Sequence, residues 1–163
     1  MEIILNEAEQ RLSKYLAKAR HSNARDKLKP DLKKGPQSAE ETDLEGIGSE
    51  IAACKALNVY PDLETQLDKL PDEDLITKQG YRVDVKATKY RNGKLIAATW
   101  KRGKPCDFYL LVIGQFPNYR IAGLMTADEL LQDKRVTDLG HGKTFAATQT
   151  ELQSVDDWLI SYG

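Results

Sequence analysis

A chain of 163 residues, 40% hydrophobic and 30% charged, is sized and composed for one globular domain with its own core, not for a disordered or fibrous protein. Its longest uninterrupted apolar run, Phe108 to Ile113, is far too short to cross a bilayer, so no membrane partner is expected. The formal net charge of −1 favours no class of partner by itself.

The distribution of charge says more. From Val85 to Cys106 there are seven cations, Lys86, Lys89, Arg91, Lys94, Lys101, Arg102 and Lys104, and no acid. From Glu40 to Asp74 acids heavily outnumber Lys55 and Lys69. A nearly neutral chain divided in this way can present a positive face, although a charge run is also what any solvated surface looks like. Met1-Glu2-Ile3-Ile4-Leu5 lacks the basic segment and cleavage site of a signal peptide. Cys54 and Cys106 lie in apolar stretches without ligand spacing and read as reduced core residues of a cytoplasmic protein. No internal repeat or low-complexity tract is present.

In chain order, Leu5, Ala8, Leu12, Tyr15, Leu16 and Ala19 recur at helical spacing and predict a helix over Asn6–His21, capped by Asn6. Ser22 to Glu41 carries Pro30, Gly35 and Pro36 and reads as a basic connecting loop. The division expected is an N-terminal helix and loop over 1–41 and a core over 42–163. Thr42-Asp43-Leu44-Glu45 has the form of a capping box, and Leu44, Ile47, Ile51, Cys54 and Leu57 mark the buried stripe of a second helix. Tyr60 to Leu70 is ambiguous. Leu75-Ile76-Thr77 and Tyr81–Thr88 then read as strands around a turn at Gly80, and Asn92-Gly93 as a hairpin turn into Leu95–Trp100. Phe108–Ile113 reads as a central strand buried on both faces, followed by a turn at Pro117-Asn118 and a strand over Tyr119–Leu124. Thr126-Ala127-Asp128-Glu129 caps a short helix to about Gln132, Lys143–Ala147 is a weak strand, and Ser154 to Asp157 caps a last helix ending near Tyr162. The expected class is mixed α/β.

Chemistry concentrates around Val83-Asp84-Val85-Lys86-Ala87. Alternate strand residues share a face, so Asp84 and Lys86 point one way and the apolar residues the other. If Asp74–Thr77 and Tyr81–Asp84 pair around Lys78-Gln79-Gly80, Leu75 faces Val83 and Asp74 faces Asp84. Opposed residues hold their Cβ atoms about 4.5–5.5 Å apart, and like charges so placed are unfavourable. A divalent cation between the two carboxylates resolves the conflict, since Mg²⁺ takes a few carboxylate oxygens plus water. A register off by one separates them. Lys86 either pairs with Asp72, which could also replace Asp74, or orients water and steadies negative charge on a phosphate. Glu50 flanks the buried stripe of the second helix. Gly46 and Gly48 cost that helix roughly 1 kcal/mol each against alanine, a cost best explained by close approach of helix to sheet. Surface exposure is the ordinary alternative for Glu50.

Gly46-Ile47-Gly48-Ser49-Glu50 on an early helix, then Asp74 and Asp84-Val85-Lys86, resembles the PD-(D/E)XK nuclease superfamily, and within it small phage-encoded members of unassigned role. The resemblance runs from about Thr42 onward and includes Asn92-Gly93, Asp107-Phe108-Tyr109 and Gly140-His141-Gly142-Lys143. It departs from the family pattern in one place: Pro71 stands three residues before Asp74, so Pro-Asp is not intact. The resemblance implies a restriction-endonuclease-like core, a mixed central β-sheet flanked by helices, and Mg²⁺- or Mn²⁺-dependent hydrolysis of DNA. It implies Glu50, Asp74, Asp84 and Lys86 as catalytic residues and Glu50, Asp74, Asp84 and Val85 as the metal set. Lys89, Arg91, Lys94, Lys101, Arg102 and Lys104 would then hold the phosphate backbone, in the host cytoplasm if the chain is phage-encoded.

Trp100 and Tyr90 could stack on bases or simply pack on the sheet. His141 has no second histidine near it, two histidines and two separated cysteines argue against zinc, and neither a phosphate-binding Gly-Lys loop nor a Gly-x-Ser-x-Gly elbow is present. The alternatives are a junction or branch-specific resolvase, which would act as a homodimer, and an inactive nucleic-acid-binding or host-protein-binding module on the same fold.

Overall fold

The computed structural model describes residues 1–26, 39–65, 73–140 and 142–163. They form a mixed α/β structure with two sheets. The strands are β1 (Glu2–Ile4), β2 (Leu75–Ile76), β3 (Arg82–Thr88), β4 (Leu95–Ala98), β5 (Phe108–Gln115), β6 (Asn118–Thr126), β7 (Val136–Asp138) and β8 (Lys143–Ala147). The helices are α1 (Glu7–Asp26), α2 (Ala39–Leu57), α3 (Ala127–Leu130) and α4 (Val155–Tyr162). Five strands make a mixed sheet in the order β1-β6-β5-β3-β2, with β3 and β5 parallel and the other pairs antiparallel. The remaining three make an antiparallel sheet in the order β4-β8-β7.

Strand β5 explains the layering. Its alternate residues Phe108, Leu110 and Val112 join a core built with α1, α2 and α4, whereas Tyr109, Leu111 and Ile113 join a second core with β4, β8 and α3. A strand walled on both faces must be apolar throughout, which is why Phe108–Ile113 shows no alternation. The five-stranded sheet therefore has helices on one face and the small sheet on the other. The β5–β6 pairing skips Ala122 between Leu111 and Val112. Gly123 beside it takes φ +147°, where a Cβ would meet the Gln153 carbonyl oxygen at 2.5 Å, so glycine is required at that bulge.

The N-terminal segment belongs to the core rather than standing apart from it. β1 pairs with β6, and Leu5, Leu16 and Ala17 lie in the same cluster as Ile47, Ile51 and Cys54. Residues 1–26 are thus packed with the rest of the described structure, the apolar stripe of α1 lying against α2. Asn6 caps α1 as expected, accepting from the Glu9 amide at 3.0 Å, but the helix runs on to Asp26. Most of the expected basic loop, residues 27–38, lies outside the described residues, as do Asp72 and His141.

Helix α2 starts three residues earlier than the Thr42 box implies. Glu45 does not cap it: its carboxylate accepts the Phe116 amide at 3.1 Å and the Tyr119 hydroxyl at 3.4 Å. Here a tertiary contact overrides a local signal, and it fastens α2 across the turn between β5 and β6. The capping box of Thr126 with Glu129 and the cap at Ser154 are present as expected. Asn92-Gly93 lies in a turn closed by Gly93 N–H to Tyr90 carbonyl at 2.8 Å, yet β3 and β4 are not a hairpin. β5 occupies one edge of β3 along its length and β2 takes the start of the other, so β4 leaves for the second sheet.

The two glycines of α2 differ. A Cβ on Gly48 would collide with the Tyr119 hydroxyl and lie 2.9 Å from the Phe116 ring, whereas one on Gly46 would meet nothing within 4 Å. Close approach of helix to sheet thus explains Gly48 only. Gly46→Ala is expected to raise stability by about 0.5–1 kcal/mol, and Gly48→Ala to lower it by about 1–3 kcal/mol through overpacking. Urea unfolding of both variants checks this; equal effects would contradict the assignment.

Candidate active site

The site grows from the β2–β3 pairing. Leu75 lies opposite Val83 and Ile76 opposite Arg82, the register read from the sequence. Val83 and Val85 enter the helix-side core, leaving Asp84 and Lys86 on the other face of β3. Asp74 directly precedes β2; its amide donates to the Val83 carbonyl at 3.0 Å and its carboxylate accepts the Val85 amide at 2.6 Å. Val85 therefore supports Asp74 through its backbone, while its side chain packs in the core.

Asp84 is 1% exposed, and a carboxylate so buried needs compensation. Two lysines provide it. Lys86 from the same strand contacts Oδ1, and Lys101 places its Nζ 2.6 Å from Oδ2. The two oxygens are otherwise without a hydrogen-bond partner among the described residues. Lys101 ends a single 3₁₀ turn, Thr99–Lys101, directly after β4, so the pair joins the two sheets. Burial works against the charge on Lys101, but the hydrogen bond and charge of Asp84, with Asp74 adding, win and raise its pKa.

Asp74 and Glu50 show the opposite tendency. Burial first, then the charge of Asp84, push the Asp74 carboxyl up to about 6, against the Val85 amide, Lys86 and Lys101. Burial first, then Asp74, push Glu50 up to about 8, against Arg20. Glu50 sits on α2 as expected, but its carboxylate is held by Arg20 at 3.3 Å, and the same guanidinium bonds the Asp62 and Glu64 carbonyls at 3.2 and 3.0 Å. Arg20, His21, Asp43 and Glu50 line a cleft of about 250 Å³ between α1 and α2. Glu50, Asp74 and Asp84 thus form an electrostatically linked line, with Arg20 at one end and two lysines at the other.

The basic residues divide by role. Lys86 and Lys101 serve Asp84, and Arg102 bonds Asp133 at 2.7 Å and the Leu131 carbonyl at 3.1 Å. Lys89, Arg91, Lys94 and Lys104 are exposed. Tyr90 and Trp100 are 69% and 66% exposed, so neither is a packed sheet residue; Lys89 and Lys101 lie over their rings at 5.8 and 5.2 Å. Cys106 neighbours Asp84. Burial, then that charge, push its thiol up to about 11, which leaves it a poor nucleophile.

Two carboxylates of this set suit a hard divalent cation, with both oxygens of Asp84 engaged by lysines in its absence. Mg²⁺ commonly uses one or two carboxylates, water and substrate phosphates rather than a full protein cage, and Asp74 and Asp84 supply two. Among the described residues no three His, Cys, Asp or Glu side chains gather as a metal cluster, and Glu50 is engaged by Arg20. No described helix is long and apolar enough to cross a membrane. Fold and site together define a mixed α/β protein with a buried carboxylate–lysine cluster at the sheet edge. Compared with protein-family models, curated proteins and solved structures, the chain matches none.

Lys101 and Arg20 had no assigned place in the site from sequence, Lys101 being expected only as a contact to the phosphate backbone. Both act from elements distant in the chain, and no local pattern marks them.

The raised carboxyls give a pH signature. Their ordinary values are 4.5 for Glu50 and 3.8 for Asp74, so above these values the folded protein retains protons that the unfolded chain has released. The resulting stability is fully present below about pH 4 and is lost as pH rises through about 6 and then about 8. In EDTA, the melting temperature should fall from pH 5.5 to 8.5, and fall less in Glu50→Gln. Identical pH slopes in the two proteins would contradict the buried, protonated Glu50.

Proposed function

We propose that this chain is a metal-dependent nuclease of the PD-(D/E)XK kind, on a restriction-endonuclease-like fold, hydrolysing DNA phosphodiesters with Mg²⁺ or Mn²⁺. One observation supports the reading: Asp74, directly before β2, and Asp84, on β3, are close enough in the β2–β3 register to act on each other electrostatically, with Lys86 on the same face as Asp84. Two buried acids brought together at the cost of mutual repulsion, with the Asp74 carboxyl raised by burial and by the charge of Asp84, are a physical marker of a functional site.

A divalent cation on Asp74 and Asp84 would polarise a phosphoryl oxygen and acidify a bound water. Lys86, two residues along the strand from Asp84, orients that water and steadies the charge that develops on the phosphate. Water adds to phosphorus, one P–O ester bond breaks, and the departing oxygen takes a proton. Exposed Lys89, Arg91, Lys94 and Lys104 hold the backbone without reading sequence, and Trp100 and Tyr90 offer faces on which unpaired bases stack. Glu50 supports the metal side through Asp74 rather than as a ligand, in keeping with its pairing to Arg20.

A second reading has its own support. The two lysines on Asp84 would equally suit a structural ion cluster in a nucleic-acid-binding module that does not cut. Incubation with supercoiled plasmid, linear duplex, single strands and a four-way junction, in Mg²⁺, Mn²⁺ or EDTA, separates the two. Metal-dependent cutting is expected, reduced about a hundredfold or more in Asp84→Asn and Lys86→Ala. Preference for the junction would select the resolvase form of the activity. Binding without cutting of any substrate would replace the nuclease by the binding module.

A further inference from the structure

The arrangement around Asp84 holds more than a nuclease site requires. Asp74 and Asp84 contribute two negative charges, and Lys86 and Lys101 two positive ones, so the cluster is balanced before any ion enters. A divalent cation added to that set would sit beside two ammonium groups, one of which contacts each oxygen of its ligand Asp84. Binding is then favourable only when one ammonium withdraws.

The two lysines differ in how readily they can withdraw. Lys86 shares a strand and a face with Asp84, and its backbone is fixed by pairing with Leu111 of β5. Lys101 comes from a three-residue 3₁₀ turn with no buried residue, beyond the end of β4. Its neighbours Trp100, Arg102, Gly103 and Lys104 are all exposed, and Trp100 lies under its ammonium. The Lys101 side chain is the less exposed of the two, 14% against 32% for Lys86, but the short segment that carries it is exposed on both sides of it.

We infer that Lys101 is a positioning residue that gates the metal site: it occupies Asp84 Oδ2 in the DNA-free protein and moves to a phosphate of the incoming DNA, which releases that oxygen to the cation. The inference rests on the nuclease reading. Metal and DNA then bind with positive coupling, and coupling is reciprocal, so each tightens the other by the same factor. The DNA-free protein holds metal weakly, and the site completes itself only on substrate.

Mn²⁺ binding, followed by electron paramagnetic resonance and calorimetry, tests this without turnover. In the absence of DNA, Lys101→Met should bind Mn²⁺ roughly tenfold or more tighter than wild type, within the usual range of such couplings. Lys134→Met, which removes the same charge from an exposed position outside the site, should shift it by less than about twofold, as expected of a screened surface charge. A hydrolysis-resistant phosphorothioate duplex should tighten Mn²⁺ binding to wild type but not to Lys101→Met. Lys101→Gln serves as a second variant, with thermal melts confirming that each is folded. Equal Mn²⁺ affinity in wild type and both Lys101 variants would overturn the gate and leave the nuclease reading standing. No Mn²⁺ binding to any of them, with or without the duplex, would overturn both.

Discussion

The carboxylate of Asp84 is the constraint on which the rest depends. It is nearly inaccessible to solvent, and its two oxygens each meet a lysine, one from its own strand and one from the start of the segment leaving the second sheet. A buried charge without such partners would cost several kcal/mol, so the position of the small sheet and the charge of Asp84 are interdependent. Removing either lysine leaves more of that charge uncompensated, whereas removing the carboxylate leaves two ammonium groups facing each other. The same cluster that ties β3 to the end of β4 therefore also defines where chemistry can occur.

On the other face, α2 brings Glu50 toward the same acids. The helix is fastened at Glu45 to the turn between β5 and β6, and Gly48 allows it to lie against Tyr119 and Phe116. Arg20 holds Glu50 from α1 and reaches the segment around Asp62 and Glu64 with the same guanidinium. Repulsion among the three acids is thus relieved at both ends by cations and in the middle by the Val85 amide, with protonation absorbing the remainder.

Much of the fold is legible in the sequence because local and global preferences agree there. The β2–β3 register follows from the turn at Gly80 and the burial of Leu75 and Val83, and that register alone brings Asp74 to Asp84. The continuous apolar run of β5 and the caps at Thr126 and Ser154 are readable for the same reason. The misreadings are non-local. Glu45 abandons its apparent capping box for the Phe116 amide, and the turn at Asn92-Gly93 is real while its strands pair elsewhere. β1 and β7 have three residues each, too few for any period to register. Lys101 and Arg20 reach their acids from distant elements, and only the fold reveals them. The strand half of the site is written in local pattern; the half that balances its charge is not.

We propose that Asp74 and Asp84 share a divalent cation when DNA is bound. Anomalous scattering from crystals grown with a hydrolysis-resistant phosphorothioate duplex and soaked in excess Mn²⁺ is the most direct measurement. One peak within coordination distance of both carboxylates is expected, lost in Asp84→Asn. Peaks confined to other acids, or none with the duplex bound at saturating metal, would contradict the shared site.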